Sequence, residues 1–405
     1  MTRPTDRVSI KAGGKVFDQI EKVEITWDLS APAQAVIQFG DEGAWAQLGS
    51  AFQPGTPWTV AVNDMPMISG RAELLELDGD DHGIVCAIAI RTRLSDALVA
   101  SADTSIVVAG VSVAEFMVAA LSTIGYTSSD FVVDHRTAAV LLSGAPSKTS
   151  PQKTDLEPIQ VPQAKIQPGE SIMEAVTRHA DRHGLIVCDL PNGRIGVFRP
   201  DPDASPDYYL RLKRGSAADR RANNIVKIHR SCDWTQVPSE VVVYGQTWGG
   251  ELAKAPIHSS AGNPEVLARA AETGHFNRRV VTVQNQIQNN DQARRKASKL
   301  LSSLVSRQDA WDIVTDGLTY WDGSKQTRWA ITAIASIECD VMGAPAGNYF
   351  VNRVRMKQDD QGSTTTLSVV RADLLFNRET GLLGKQGTEV YNGPFKTPEF
   401  NFDER

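Results

Sequence analysis

The sequence predicts an α+β protein that is mainly β, and three observations support this class. Short runs of branched and aromatic residues, separated by Gly and Pro, recur along most of the 405-residue chain, as is typical of strands. Two S-x-x-E boxes precede the clearest helical patterns. Two all-β segments of similar size end in the same motif, so we expect a repeated β domain with small α+β domains inserted.

Residues 1–98 are predicted to form the first β domain. Short strands, with turns at Gly13-Gly14 and Pro54-Gly55, are spaced as in a small barrel or sandwich. The last two strands flank a polar tip at residues 78–83. We expect the domain to end near Leu98.

A mixed α/β domain with an exposed loop is predicted over residues 99–166. Ser112 and Glu115 form an S-x-x-E box, in which each side chain satisfies a backbone N–H of the first helical turn. The helix should stop at Gly125. Residues 142–162 are rich in Ser, Thr, Lys and Pro, which indicates an exposed loop.

Residues 167–222 are predicted to contain a helix followed by a hairpin. Ser171 and Glu174 form the second box, and apolar residues then recur at helical spacing until Gly184. Two short apolar runs follow, and Pro191-Asn192-Gly193 between them is typical of a tight turn. We expect the flanking segments to pack around this small α+β unit.

The second β domain is predicted over residues 223–375, with an inserted loop and helix at about 249–305. The inserted segment breaks the strand pattern with Gly, Pro and polar residues. It then shows a helix that has Ala293, Ala297 and Leu301 on one face.

The repeat is clearest where each β domain ends. A strand leads into Asp80-Asp81-His82-Gly83, and a second strand leads to Arg91-Thr92-Arg93-Leu94. The later copy has Asp359-Asp360-Gln361-Gly362 and Arg371-Ala372-Asp373-Leu374. The shared pattern of D-D-x-G tip and R-x-x-L exit predicts a duplicated module. Three copies of such a chain can present six similar modules.

Composition argues against several classes of protein. The formal charge of −6 lacks the basic excess that general nucleic-acid binding requires. Cys86, Cys188, Cys232 and Cys339 have no C-x-x-C spacing and are interpreted as reduced core residues. The N-terminus has no apolar h-region and no run of about 18 apolar residues occurs, so neither a signal peptide nor a membrane segment is expected.

Metal and catalytic patterns are weak. His179 and His183 are spaced i, i+4, but Asp181 does not supply the H-E-x-x-H glutamate, so both histidines are interpreted as structural. Residues 78–81 and 201–207 lack the order of a calcium loop and are interpreted as solvated turns. We predict no enzyme activity, catalytic residue, cofactor or metal.

Two surface segments are candidates for partner contacts. Arg294, Arg295, Lys296 and Lys299 cover one side of a predicted helix, where a solvated face is favoured over contact with DNA or an acidic neighbour. Residues 376–405 have no regular period, yet they keep more large apolar residues than a disordered tail usually does. We predict an extended C-terminal arm that docks on a partner. Its predicted partner-binding residues are Leu382, Leu383, Tyr391, Phe395, Phe400 and Phe402.

Three stretches resemble the baseplate hub proteins of contractile-tailed phages, the Mu-like tail protein P family, which is related to type VI secretion spike hubs. They are residues 70–98, the central P-G-E-S-I-x-E-A-V helix with its hairpin, and the final D-D-x-G-S-T-T-T-L hairpin. The resemblance covers roughly residues 5–375. It implies that the two β domains are tube-like β-barrels.

The resemblance also implies an assembly role. A homotrimer would form a pseudo-six-fold ring that joins the hexameric tail tube to the trimeric central spike and contacts other baseplate proteins. DNA would pass through its central channel without specific binding. The implied location is the virion tail baseplate, after assembly in the host cytoplasm. Alternatives are a spike-base hub of a pyocin-like or type VI-like injection particle and, less favoured, a tail-associated cell-wall hydrolase.

Overall fold

The structure is a computed structural model of the whole chain. The residues that it describes are 5–17, 20–39, 55–80, 83–108, 111–132, 160–161, 164–182, 185–198, 204–217, 222–235, 237–245, 258–262, 278–284, 290–305, 309–341 and 347–372.

Strands dominate these residues. The strands of the first part are β1 (Val8–Ala12), β2 (Lys15–Phe17), β3 (Lys22–Asp28), β4 (Ala31–Phe39), β5 (Pro57–Val62), β6 (Met65–Asp80), β7 (Gly83–Arg91), β8 (Val107–Val108), β9 (Val111–Ser112), β10 (Phe131–Val132), β11 (Gln160–Val161), β12 (Ala164–Lys165), β13 (Ile186–Asp189) and β14 (Ile195–Phe198). Those of the second part are β15 (Tyr208–Leu212), β16 (Ile225–Ser231), β17 (Glu240–Gly245), β18 (His258–Gly262), β19 (Arg279–Gln284), β20 (Ala310–Asp316), β21 (Tyr320–Trp321), β22 (Gln326–Thr327), β23 (Ile334–Cys339), β24 (Gly347–Asp359) and β25 (Gly362–Arg371). The helices are α1 (Ser95–Val99), α2 (Val113–Ser122), α3 (Ile172–Arg182) and α4 (Asn290–Val305).

A 13-stranded sheet occupies the centre of the molecule. Its order is β16-β20-β25-β24-β3-β4-β7-β6-β5-β1-β2, with β23 paired to β24 and β15 paired to β23. Side chains alternate between its two faces because successive residues of a strand point in opposite directions. In β3, for example, Val23, Ile25 and Trp27 are buried while the residues between them are half-buried.

The buried face of this sheet forms one continuous core. Ile37 and Trp58 contribute from its early strands, and Trp311 and Val351 contribute from its late strands. Burial of apolar side chains is the main favourable term in folding. The early and late strands are therefore held in one folded body, and the sheet, rather than the unit at 167–222, is its organising element.

The sheet contains the same arrangement of strands twice. The first module is β1 with β3 to β7, and the second module is β15, β16, β20 and β23 to β25. The spatial order is β3-β4-β7-β6-β5-β1 in the first and β16-β20-β25-β24-β23-β15 in the second, with corresponding strands in the same chain order. One difference is that β1 and β5 are antiparallel whereas β15 and β23 are parallel. The predicted duplication is confirmed.

The hairpins β6–β7 and β24–β25 match residue by residue. The tip pairs are Asp80 with Gly83 and Asp359 with Gly362. Both hairpins also have an irregularity in their pairing at the same distance from the tip. It lies between Ala72 and Leu74 in β6 and between Val351 and Arg353 in β24. A β-bulge at one fixed place in both copies is a specific structural feature, so it identifies β6 with β24.

The exit arginines follow their tip glycines by eight residues in the first hairpin and nine in the second, and they do not occupy equivalent positions. Arg91 pairs with Arg71 in the first hairpin, and the pair at the same distance from the other tip is Val370 with Phe350. Arg91 therefore corresponds to Val370, and Arg371 lies one residue after the equivalent position. The two R-x-x-L sequences look alike without being structural equivalents.

The α+β unit has its own core, which α1, α2 and α3 share with β10, β13 and β14. Ser171 and Glu174 form the predicted capping box: Glu174 N donates to Ser171 Oγ at 3.2 Å, and Ser171 N donates to Glu174 Oε2 at 2.8 Å. The predicted hairpin is also present as β13–β14, with Gly193 in its turn at φ 75°, a conformation that glycine adopts easily.

A three-stranded sheet, β18-β17-β19, lies apart from the large one. Helix α4 packs on it through Ala293, Ala297 and Leu301, which meet Val241 and Val243 in a small core. This unit includes β17, which begins before the predicted start of the insertion at about residue 249.

The α+β, mainly β class is confirmed. In the parts of the chain that the structure describes, no strand pair closes either module into a barrel of its own. Instead, β24 of the second module pairs with β3 of the first. The predicted boundaries at 98, 166, 222 and 375 stay predictions.

Candidate assembly surface

The two modules meet at one antiparallel strand pair, β3–β24. Its register runs from Arg353 opposite Asp28 to Gln358 opposite Val23. By strand order, β3 corresponds to β16 in the other module, and β24 corresponds to β6. The junction therefore joins unlike strands, as a head-to-tail contact does.

The inner side of this junction is apolar. Val354 lies opposite Trp27 and Met356 lies opposite Ile25, and all four side chains are buried. Directly opposed side chains of antiparallel strands touch and stabilise the pair. The inner side thus makes the junction part of the common core.

The outer side of the junction carries opposite charges. Arg353 Nε donates to Asp28 Oδ2 at 2.6 Å, and Arg355 Nε lies 3.2 Å from Glu24 Oε1. Burial alone would raise the pKa of Asp28, but hydrogen bonds from Ser30 and from the Arg353 guanidinium outweigh it and lower that pKa. Asp28 is therefore held as a carboxylate that faces a basic strand.

Polar side chains continue across the outer face of the neighbouring strands. Ser368 on β25 donates its hydroxyl to Asp312 Oδ1 on β20 at 2.6 Å. Thr364 and Thr366 of β25 are half-buried on the same face. This face of the sheet is suited to contact water or a polar partner.

A buried carboxylate connects the first module to the α+β unit. Asp189, at the end of β13, accepts hydrogen bonds at Oδ2 from Thr92 Oγ1 at 2.6 Å and from Ala33 N at 2.9 Å. Burial raises the pKa of Asp189 to about 6, and these hydrogen bonds offset part of that effect. The contact fixes β13 against β4 and the end of β7.

Few of the candidate residues from the sequence lie at these junctions. His179 is buried in α3, with its ring centroid 4.2 Å from that of Phe116 and its Nε2 3.3 Å from Arg178 Nη1. His183 and the six predicted residues of the arm, Leu382 to Phe402, lie outside the described residues. Among the residues that are described, no cluster of three His, Cys, Asp or Glu side chains could hold a metal.

The remaining candidates divide between the surface and the core. Asp78 is exposed on β6, and Arg294 is exposed on α4. Cys86, Cys188 and Cys339 are buried free thiols as predicted, whereas Cys232 is exposed, which corrects its assignment to the core. No helix in the described part of the chain is long and apolar enough to cross a bilayer.

Sequence reasoning missed the junction between the modules. Its signal is clear in β24, where the basic residues Arg353, Arg355 and Lys357 occupy every second position, and weaker in β3, where the acidic Glu24 and Asp28 are four residues apart. Residues at such even spacing lie on one face of a strand. The pairing of these two strands only becomes evident once the fold is known.

The fold is similar to that of solved tail proteins, one of them from a prophage, and more distantly to that of a type VI secretion component. No family model matches the chain, and no curated protein matches it by sequence. The resemblance seen in the sequence is confirmed at the level of the fold, by solved structures.

Three solved structures illustrate the likeness. A 43 kDa tail protein of prophage MuSo2 from Shewanella oneidensis has a TM-score of 0.69 and 16% identity, covering 91% of this chain and 99% of that one. A tail protein from Neisseria meningitidis MC58 has a TM-score of 0.70 and 18% identity, covering 91% and 97%. The E. coli c3393 protein, a component of the type VI secretion system, has a TM-score of 0.50 and 11% identity, covering 89% and 76%.

Proposed function

We propose that this protein is the structural hub of a phage tail baseplate, a homotrimer that joins a hexameric tail tube to a trimeric central spike. The observation that carries the proposal is the pair of equivalent modules on one sheet. A chain with two such modules gives six similar modules in a trimer. One surface of the ring can then match six-fold symmetry while the chain itself repeats three times.

The polar outer face of the sheet supports a channel in this ring. The hydroxyl groups of β25 and the alternating charges of β3 and β24 lie on that face. Neighbouring charges of both signs cancel much of each other's field, so DNA can pass without being held. The proposal assigns no catalytic residue and no cofactor.

The C-terminal arm, residues 376–405, is proposed to dock on the spike or on a neighbouring subunit. The six large apolar residues of the arm would be its anchors, since aromatic and aliphatic side chains dominate binding at interfaces. Other baseplate proteins are further proposed partners, with assembly in the host cytoplasm and a final place in the virion tail.

A second candidate is a spike-base hub in a pyocin-like or type VI-like injection particle. The structural likeness to the type VI component c3393 favours it. The same trimer would serve, but no genome would pass through the channel. A tail-associated cell-wall hydrolase is the less favoured third possibility, and clearing of a peptidoglycan suspension by the purified protein would support it.

Co-expression with the tube and spike proteins encoded beside it tests the main proposal. We expect the purified protein to have three times the chain mass by light scattering and to co-purify with both partners. A monomer that binds neither partner under assembly conditions would overturn the hub. Particles that contain the protein but no DNA would favour the second candidate.

A further inference from the structure

Two strand edges lie open at the far sides of the two modules. Residues 74–79 of β6 pair with β7 on one side, whereas β5 reaches only to Arg71 on the other. β16 pairs with β20 on one side, and on the other side β15 is hydrogen-bonded to Asn224, which precedes β16, without forming a ladder with β16 itself. Within the described residues neither edge has a second strand partner. An open edge presents N–H and C=O groups that another strand can pair with.

Each open edge corresponds to one side of the junction that the chain already forms internally. The shared bulge identifies β6 with β24, as described above. The identification of β16 with β3 rests on strand order and on a matching turn beyond each strand. Ser30 N donates to Asp28 Oδ1 at 2.8 Å, and Thr235 N donates to Asp233 Oδ1 at 2.8 Å. Asp28 lies two residues after Thr26, and Asp233 lies two residues after Ser231. Thr26 in the pairing of β3 with β4 and Ser231 in the pairing of β16 with β20 are equivalent positions.

We propose that β6 of one copy pairs antiparallel with β16 of the next copy, in the register of the β3–β24 junction. This inference rests on the proposed trimeric hub and specifies how its subunits join. Transfer of the internal register to the open edges gives the pairs Leu74–Asp233, Leu75–Cys232, Glu76–Ser231, Leu77–Arg230, Asp78–His229 and Gly79–Ile228.

Exposed apolar side chains mark both edges. Leu74 and Leu77 on β6 are 47% and 50% exposed, and Val226 on β16 is 64% exposed. In the internal junction, Met356 occupies the position of Leu77 and is only 1% exposed. A second strand beside β6 would bury Leu77 in the same way, which is favourable because apolar area leaves water.

Charge favours a second copy of this chain as the partner. The open edge of β6 carries the carboxylates of Glu76 and Asp78, and that of β16 carries the Lys227 cation and the His229 imidazole, whose N–H can donate a hydrogen bond to a carboxylate; all four residues are exposed. Opposite charges on facing strands stabilise a pair, and like charges oppose it. The two edges are thus complementary to each other.

The charges also exclude the wrong partner. In the internal junction the basic strand is β24 and the acidic strand is β3, the reverse of the β6–β16 contact. If β6 of one copy displaced β24 from β3, Asp78 would lie opposite the acidic Glu24, and Glu76 would lie diagonally between Glu24 and Asp28. Such repulsion gives specificity against mispairing. Each edge therefore has one compatible partner.

The two edges belong to one chain, so the contact is head-to-tail. In every copy, β6 would pair with one neighbouring chain and β16 with the other. These contacts would have the same direction around the ring as the internal β3–β24 junction. Heterologous contacts of this kind close into a ring when the rotation allows it. Internal and intermolecular junctions would then alternate around six modules from three chains.

The native Cys232 allows the register to be trapped with one substitution. Opposed Cα atoms in an antiparallel pair are about 4.5 to 5.5 Å apart, which a disulfide can span. After mild oxidation of the full-length Leu75→Cys protein, we expect covalent trimers on a non-reducing gel, reversed by reductant. Leu75→Cys/Cys232→Ser should run as single chains. Leu74→Cys, whose side chain lies on the other face of the sheet, should cross-link about tenfold less.

Charge reversal tests the same contact through exposed residues that the fold does not need. Glu76→Lys/Asp78→Lys should lower the trimer fraction at least about tenfold at equal concentration. Adding Lys227→Glu/His229→Glu should restore it. Unchanged trimers in the first variant, or no rescue in the second, would overturn the pairing of β6 with β16.

Failure of this inference and failure of the hub give different results. Native protein with trimer mass but no Leu75→Cys cross-link overturns the register and leaves the trimeric hub intact. A covalent ladder that extends beyond three chains supports the strand pairing and overturns the three-copy ring. Native monomers without cross-links at assembly concentrations overturn both.

Discussion

The Arg353 guanidinium Nε lies 2.6 Å from Asp28 Oδ2, although 325 positions separate the two residues in the chain. This ion pair lies on the strand pair that joins the second module to the first. It therefore stabilises the arrangement of the two modules within a single chain. A ring of several chains would repeat this arrangement between neighbouring modules.

Arg353→Ala should destabilise the folded chain by about 1 kcal/mol, as removal of a partly exposed ion pair usually does. The Asp28 side chain is only 14% exposed, so the loss leaves a largely buried carboxylate without its cation. Arg355→Ala is the matched control, because its 3.2 Å contact with Glu24 is more exposed, and it should cost less. Urea unfolding measures both, and an equal or smaller effect at Arg353 would contradict the prediction.

Asp189 should make stability depend on pH. Its pKa of about 6 in the fold exceeds the value of about 3.9 in an unfolded chain. The folded state therefore binds the proton more tightly. The stabilisation is complete below about pH 4 and is lost as the pH rises through about 6.

The loss attributable to Asp189 should amount to about 2 to 3 kcal/mol between pH 4 and pH 7. Asp189→Asn keeps an acceptor for Thr92 and Ala33, so the stability of this variant relative to the wild type should rise by that amount over the same range. Asp103→Asn is the control, because hydrogen bonds from Ser105 lower the pKa of that exposed group. Parallel pH profiles for wild type and Asp189→Asn would contradict the assignment.

Gly70→Ala should disrupt the first module. A Cβ at this position would lie 2.0 Å from the backbone oxygen of Arg91, so β6 or β7 would have to move. Overpacking at buried backbone typically costs about 1 to 3 kcal/mol or more. Gly347→Ala in β24, where a Cβ meets nothing within 4 Å, should be nearly neutral. Equal melting temperatures for the two variants would rule out this close approach.

Deletion of residues 378–405 should weaken attachment to the spike or lower trimer stability, because the arm carries the predicted anchors. Replacing Phe395, Phe400 and Phe402 by Ser in the full-length chain should have the same effect while keeping its length. Co-purification and light scattering measure the two results. Unchanged spike binding and unchanged trimer stability in both variants would contradict a role of the arm in assembly.

Local features of the fold could be predicted because they depend on neighbours in sequence. The capping box of Ser171 and Glu174, the hairpin turn at Gly193 and the paired tips near Asp80 and Asp359 all follow from short-range hydrogen bonds and glycine conformations. The duplication followed from the tips. The exit arginines Arg91 and Arg371 follow these tips at different distances, and the registers of the two hairpins show that they are not equivalent.

The junctions could not be predicted, because they depend on contacts between distant parts of the chain. Nothing near Asp28 in sequence identifies Arg353 as its partner, and nothing near Asp189 identifies Thr92. Cys232 was assigned to the core from its residue type, yet it is exposed directly after β16. The position of β17 outside the large sheet likewise depends on its packing against α4.

Electron microscopy of the purified assembly, viewed along its symmetry axis, tests the central claim most directly. We predict a closed ring of six similar β modules built from three chains, with an open centre. A ring in which each chain contributes one module, or two modules that face away from a common axis, would contradict the adaptor role.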